Sequence, residues 1–592
     1  MKPKHILPLA LALTFGATHA QTLSTEITVD RTVAPNQTVA TPLSSVQPAL
    51  LAAAPLGGDL ALSDFGGDAY FASRPDPVSP FLYNALPGRS PFRGYASLGY
   101  FPAYRLGAQV GYALIDSKNT LLLASARFGG MSWHSECGDK GRNTVANNNF
   151  AVDARWLQRL GAHRLKASAE FSSAALKNLT YTGAVGNQNY TGFRADIALD
   201  RSAAAFAYGV KADIDHFGAS KDLDAAYNYN IVYTPASNTV FRAEAYGRLG
   251  SDRIAGELSA GVATASRKGA VVDYGISGPD NHYLPYTEAR DLAHERNTIG
   301  TFRLAATHSS ENIVLRLGVR ADIATGRKAD RFNLAPDFEA TWKPGAVTRV
   351  FLTAGGGSSL NTLRERFDRT PYAPAWEIDR IQRIPFRATA GFAYAPGRGF
   401  RAGFEACFQR TIGAPMLLVA ASNFPVSEKL QSVVYTPMNV KGAWFEVNAG
   451  YGMPDFYGLD ISLSLRANVN SKPVWSSETS DPWSEDWGMP DNPDRASWVI
   501  TLAAKANPIE RLSVNLDWNL RAGRKIYFDD HRSGNNFLLG TVNNLSISGI
   551  YHLTERIDLG LSLENLLCQR YELMPYVQAA SLTGLIGATV RF

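Results

Sequence analysis

The sequence predicts an all-β chain, a transmembrane antiparallel β-barrel of about 22 strands with short periplasmic turns and long extracellular loops. Three observations carry the prediction. First, the chain ends on a hairpin in which Ile557, Leu559, Leu561 and Leu563 alternate with Asp558, Gly560, Ser562 and Glu564, followed by Gly584, Ile586, Ala588, Val590 and Phe592. Alternation with a period of two gives a strand one apolar and one polar face. Second, earlier hydrophobic segments repeat this pattern. Third, tight turns and long polar stretches take turns along the chain, and no uncharged apolar run reaches the ~18 residues that a membrane-spanning helix needs.

From the amino end, residues 1–20 read as a secretory signal peptide. Lys2 and Lys4 form its basic end, Ile6 to Phe15 its apolar core, and Thr18-His19-Ala20 a small-residue cleavage site. No cysteine follows that site, which excludes a lipid anchor there. Residues 21–91 form a short periplasmic segment rich in Ala, Pro, Ser and Gly, a plug remnant or a tail, within which Glu26, Ile27, Thr28 and Val29 stand out as extended. Residues 92–592 form the barrel.

Within the barrel, Arg93 to Tyr100, Leu106 to Leu114 and Thr120 to Phe128 each alternate small or polar residues with apolar ones. Later copies are cleaner. Ile313, Leu315, Leu317 and Val319 interleave with Arg316, Gly318 and Arg320; Leu459, Ile461, Leu463 and Leu465 interleave with Asp460, Ser462, Ser464 and Arg466; Leu512 to Leu520 behave likewise around Asp517. In a membrane barrel the leucines face lipid and the charges face a wet lumen. Arg316, Arg320, Asp322, Arg466, Asp460 and Asp517 are therefore placed on the lumen wall, where they line a solute path or cross-link the wall.

Tight turns are read at Tyr233 to Asn238, Lys343 to Gly345, Ala395 to Gly399, Asn507 to Glu510 and Leu553 to Glu555. Long loops are read at roughly 129–148, 176–188, 268–297, 358–385, 413–439, 470–495, 522–536 and 568–579. The pattern yields about 23 candidate strands. The short-long parity slips once, between Thr239 and Arg267, and merging the two short candidates there into one long strand restores it. The count is then about 22, with both termini on the periplasmic side.

Composition narrows the function classes. The net charge of +5 over 592 residues gives no argument for nucleic acid, and the three cysteines, Cys137, Cys407 and Cys568, are too few and too scattered for a disulfide framework. Gly355-Gly356-Gly357 lacks the Lys and Ser/Thr of a phosphate loop and marks a kink or a close backbone approach.

At the carboxyl end, Glu564-Asn565-Leu566-Leu567 followed by Arg570-Tyr571-Glu572 resembles the Asn-Leu-Phe stretch and downstream tyrosine of the TonB-dependent receptors, with Leu567 where Phe is usual. The strand ending at Phe592 resembles that family's terminus and the signal read by the barrel-assembly machinery. Glu26-Ile27-Thr28-Val29 resembles the segment by which such receptors engage the energy-coupling protein TonB. The resemblance implies a barrel in the outer membrane of a Gram-negative bacterium, surrounded by lipid and importing iron chelates or vitamins. In the family, a globular plug of well over a hundred residues lies between the coupling segment and the first strand, and here residues 32–91 are all that stand in its place. A lumen of this width must be closed, and three means are available: the segment before the barrel, the long loops folded inward, or a partner protein.

Candidate chemistry is sparse. His134, Glu136, Cys137 and Asp139 share one loop but fit no standard zinc spacing, so no metal is assigned. Asp481, Glu485, Asp486, Asp491 and Asp494 lack the glycine-pinned order of a calcium loop. Trp475, Trp483 and Trp487 among them form either a partner or glycan contact or simple loop packing. Phe528-Asp529-Asp530-His531 offers no nucleophile with its base and orienting acid, so neither a catalytic site nor a cofactor is expected. The expected function is to transport or admit a solute across the outer membrane. The alternative is a plugless structural or assembly subunit of a larger outer-membrane complex, with TonB or a lipoprotein as the corresponding partner.

Overall fold

The structure is a computed structural model. It describes residues 92–592 except 103–104, 118, 137–141, 179–186, 202–205, 228–229, 252, 269, 273–288, 292–294, 327–331, 370–380, 398, 421–431, 454–455, 471–473, 476–495, 530–535 and 575–576. The segments expected to be signal peptide and periplasmic tail lie outside these residues.

The chain closes into an antiparallel barrel of 22 strands. The first eleven are β1 (Gly94–Phe101), β2 (Arg105–Asp116), β3 (Thr120–Glu136), β4 (Arg142–Leu160), β5 (His163–Asn178), β6 (Asn187–Arg201), β7 (Phe206–Tyr227), β8 (Asn230–Gly250), β9 (Ile254–Lys268), β10 (Glu295–Ser309) and β11 (Ile313–Thr325). The second eleven are β12 (Phe332–Gly345), β13 (Thr348–Ser359), β14 (Gln382–Gly397), β15 (Phe400–Ala420), β16 (Ser432–Met453), β17 (Leu459–Asn470), β18 (Trp498–Ile509), β19 (Leu512–Ala522), β20 (Val542–His552), β21 (Ile557–Glu564) and β22 (Thr583–Arg591). Each strand pairs with its neighbours in chain order, and β22 returns to β1 with Tyr95 opposite Arg591 and Tyr100 opposite Ile586. At this seam Phe592 exchanges backbone hydrogen bonds with Gly94, N–H to O in both directions at 2.9 and 2.8 Å.

Alternation assigns the faces as the sequence implies. On β11, Leu317, Val319 and Ile323 are exposed on the outer wall, while Arg320 and Asp322 between them are buried inside. On β17, Leu463 and Leu465 point outward, and Asp460 pairs inward with Arg401 of β15. An apolar outer band over a polar lumen is what a bilayer selects.

Four short turns share one local device. Ser117, Ser251, Ser310 and Thr554 each accept, on the side-chain hydroxyl, the N–H of the residue three positions on, at 3.0 to 3.2 Å. A Ser or Thr at the start of a turn substitutes for a missing backbone acceptor, and the next strand begins at or beside the bonded residue.

Three sequence expectations are corrected. The segment Tyr233 to Asn238 is not a turn but lies within β8, and the segments between Thr239 and Arg267 are not one strand: β8 and β9 are separate, joined at Gly250 to Ile254. Pro235 made the segment look like a turn. It is tolerated because β7 bulges opposite it, between Ala219 and Asp222, and because β9 reaches only to Ser237, so no ladder hydrogen bond needs its missing N–H. The stretch 129–148, read as a loop, is also largely strand, since β3 runs to Glu136 and β4 starts at Arg142. Strands of 22 residues, as in β7 and β16, far exceed the ~9–11 that cross a bilayer and project beyond it on the long-loop side.

Candidate functional site in the barrel lumen

The lumen wall is laced by ion pairs between inward charges. Arg316 bridges Glu257 of β9 and Asp337 of β12, the latter at 3.0 Å. Arg320 holds Asp322 at 2.9 Å, and Asp322 also accepts the Ser358 N–H at 2.6 Å. The Arg466 guanidinium lies 4.2 Å from the Trp444 ring centre. Of the two roles the sequence left open for these charges, the described contacts are those of wall cross-linking. The glycine run explains how Arg320 fits: β13 shifts register between Gly355 and Gly357, and a Cβ on Gly357 would collide with the Arg320 guanidinium. The expected close approach is there, and its partner is a side chain as well as the Ile384 backbone beside Gly356.

Two long loops fold into the lumen. After β13, Leu360 packs with Val240, Ala265, Ile299 and Ala324 of the wall. The chain then forms helix α1 (Leu363–Arg369). Its start is a capping box, in which Glu365 N–H donates to Thr362 Oγ1 at 3.2 Å and Thr362 N–H donates to Glu365 Oε2 at 3.1 Å. Leu363 is fully buried in an apolar cluster with Trp133, Val145, Leu176, Tyr190 and Phe217. Arg364 donates to both Asp215 oxygens at 2.8 Å, and Phe367 meets Tyr190 at 4.3 Å between ring centres.

The second loop follows β21. Asn565, buried and in the left-handed region with φ 55°, organises it. Its Nδ2 donates to the Gln569 and Ala580 carbonyls, both at 2.8 Å, and its Oδ1 accepts the Gln569 N–H at 3.1 Å. Asn is one of few side chains that accept this backbone region and also bond it locally, which gives the asparagine of the resembled motif a physical task. Its neighbour Glu564 binds Arg105 across the seam at 2.8 Å. Further along, Trp133 Nε1–H donates to the Gln578 carbonyl at 2.8 Å, and Arg524 donates to the Glu572 carbonyl at 2.7 Å. Tyr571 packs in the same apolar cluster, and burial pushes its phenol up to about 12.

Between α1 and the wall lies a cavity of about 200 Å³, lined by Arg105, Gln109, Arg127, Glu170, Tyr190 and Phe367 among others. Arg127 and Glu170 are paired at 2.8 Å. The cavity thus offers guanidinium, carboxylate, amide and aromatic contacts in one place, the mixed lining of a solute-binding pocket.

Of the residues singled out from sequence, Phe592 lies at the seam, half exposed and stacked 6.3 Å from Tyr112. The Trp475 backbone forms a short strand, Val474–Trp475, paired with Met438 of β16. His134 sits on β3, 3.4 Å from Thr144 Oγ1; Glu136 ends that strand, and Cys137 and Asp139 lie outside the described residues. So do Glu26, Ile27, Thr28, Val29, Trp483 and Trp487. No metal-binding group occurs among the described residues. Sequence reasoning missed α1, although Thr362-Leu363-Arg364-Glu365 carries the Ser/Thr-x-x-Glu signature of a helix start.

No family model and no curated protein matches the sequence. Solved structures do. The FrpB iron transporter of Neisseria meningitidis (F3-3 variant) matches with TM-score 0.63 and 14% identity, over 86% of this chain and 83% of its own. A mutant of the ferric enterobactin receptor PfeA of Pseudomonas aeruginosa matches with TM-score 0.59 and 12% identity, over 84% and 80%. This is the barrel fold of those two proteins. The siderophore receptor PirA of Acinetobacter baumannii gives the same result, with TM-score 0.60 and 11% identity over 85% and 80%. At such identities the likeness is one of fold. The outer wall of the barrel presents exposed apolar side chains, among them Leu317, Val319, Leu463 and Leu465.

Proposed function

We propose that this protein admits or transports a solute across the outer membrane as a receptor-like barrel. One observation carries the reading: the barrel encloses a polar and aromatic cavity against a loop helix, with Arg364 and Phe367 of that helix in its lining. The fold neighbours are described as an iron transporter and as receptors for ferric enterobactin or siderophores, which makes ferric chelates the first solutes to try. Engagement of TonB through Glu26, Ile27, Thr28 and Val29 belongs to the same reading, as does recognition of the Phe592 terminus by the barrel-assembly machinery.

The test is uptake of radiolabelled ferric chelates by cells carrying the full chain or a deletion of residues 25–31. Energised transport predicts that uptake disappears on deletion while barrel abundance stays the same. Uptake that is unchanged by the deletion removes the coupling role. If uptake is absent with either chain across chelates, sugars and vitamins, the reading moves to the structural subunit.

A further inference from the structure

We propose that helix α1 is a latch that holds the lumen shut from the extracellular side, with Arg364 as its bolt and Asp215, Phe217 and Gly192 as the socket. This rests on the solute-admitting reading and names how that path is controlled.

Three observations converge on the socket. The bond joins residues 149 apart, from the loop after β13 to strand β7, so α1 is tied to the wall six strands away from the one it follows. The Arg364 side chain is only 16% exposed and that of Asp215 8%, and the guanidinium also stands 4.8 Å over the Phe217 ring. A charge so nearly removed from water is held by its partners and by little else. The third observation is the glycine. A Cβ on Gly192 of β6 would stand 2.5 Å from Arg364 Nη2 and 2.8 Å from Ser172 Oγ, so the wall leaves room for the bolt by omitting a side chain.

The bolt is also preorganised. The capping box fixes the first turn of α1, and Leu363 and Phe367 on either side of Arg364 are seated in the wall cluster. Apolar packing sets the helix in place, and the ion pair, in which the Arg364 Nε–H is shared between the two Asp215 oxygens, ties its register to β7. The cavity lies beside this contact and counts Arg364 and Phe367 in its lining.

The experiment measures potassium chloride current through the purified full chain in planar bilayers, with folded barrel verified for each variant by its heat-modifiable migration. Arg364→Ala removes the bolt, and Gly192→Val blocks the socket without touching a charge. Both are expected to raise the mean conductance at least fivefold over the native protein. The exchanged pair, Asp215→Arg with Arg364→Asp, is expected to conduct less than either of its single changes. A third variant replaces residues 360–381 with a Gly-Ser linker and sets the fully open level. Native-like current in Arg364→Ala and Gly192→Val, with high current in the linker variant, overturns the latch but leaves the transport reading standing. Native-like current in all three also overturns it, because the loop then does not close the lumen, and the transport reading is judged separately by uptake in cells.

Discussion

Replacing Asn565 with alanine should release the loop between β21 and β22 while leaving the barrel intact. The side chain makes three hydrogen bonds, two donated at 2.8 Å and one accepted at 3.1 Å, from a site that is 3% exposed. At ~1 kcal/mol each, their loss costs ~3 kcal/mol. Alanine must also take up the φ of 55°, which adds ~1 kcal/mol for a side chain that gains nothing locally in the left-handed region. The sum of ~4 kcal/mol corresponds to a rise of roughly a thousandfold in local opening, read by native-state hydrogen exchange of peptides covering residues 569–580. Asn565→Gly loses the same bonds without the backbone cost and should exchange roughly fivefold more slowly than the alanine variant. Barrel strands should show native protection in both. Loop exchange within about threefold of native in Asn565→Ala, or identical exchange in the two variants, refutes the clamp.

Other outcomes follow from the same structure. Leu463→Arg places a charge on the lipid face and should destabilise the barrel by ~2–4 kcal/mol in reversible urea unfolding, whereas Ser462→Arg on the lumen face should cost less than ~1 kcal/mol; equal costs contradict the assignment of faces. Gly357→Val should displace Arg320 from the buried Asp322 and lower stability by ~3–5 kcal/mol, the usual effect of breaking a buried pair; an unchanged unfolding midpoint contradicts the packing. Tyr571 has its phenol pushed up to about 12 by burial, so docking favours the protonated form. That stability is present below the ordinary tyrosine pKa of ~10 and is lost as pH rises towards 12, by up to ~2–3 kcal/mol. Protease sensitivity of the loop should therefore increase between pH 10 and 12 in the native protein and stay flat in Tyr571→Phe.

The barrel was legible because each strand must satisfy lipid on one side and water on the other, and this constraint writes a period of two wherever the chain crosses the membrane. β11, β17 and the closing hairpin carry it without interruption. Beyond the bilayer the constraint lapses. The outer parts of β3 and β4 have no lipid to face, so Gly129 to Glu136 and Arg142 to Asn148 look like polar loop even though they pair in full. Pro235 misled for a related reason, because its tolerance depends on a bulge in the neighbouring strand that only the pairing reveals.

The lumen site was legible in part. Alternation places Asp215 and Phe217 on the inner face, and the Asn565 motif marks the head of the second inward loop. No local pattern says that Arg364 meets Asp215, however, because with 58 basic and 53 acidic residues in the chain the face is encoded by spacing and the partner by three-dimensional closure. Gly192 gives the same lesson: its role is the space it leaves for a side chain far away in sequence.

The central claim is that this receptor-like barrel passes a solute rather than serving as a wall of a larger assembly. Gentle purification of the full chain from its native outer membrane, with identification and stoichiometry of every co-purifying protein, separates the two most directly. The account predicts the barrel alone or with TonB in substoichiometric amounts. A stable one-to-one complex with an outer-membrane protein or lipoprotein whose residues fill the lumen in place of α1 would contradict it.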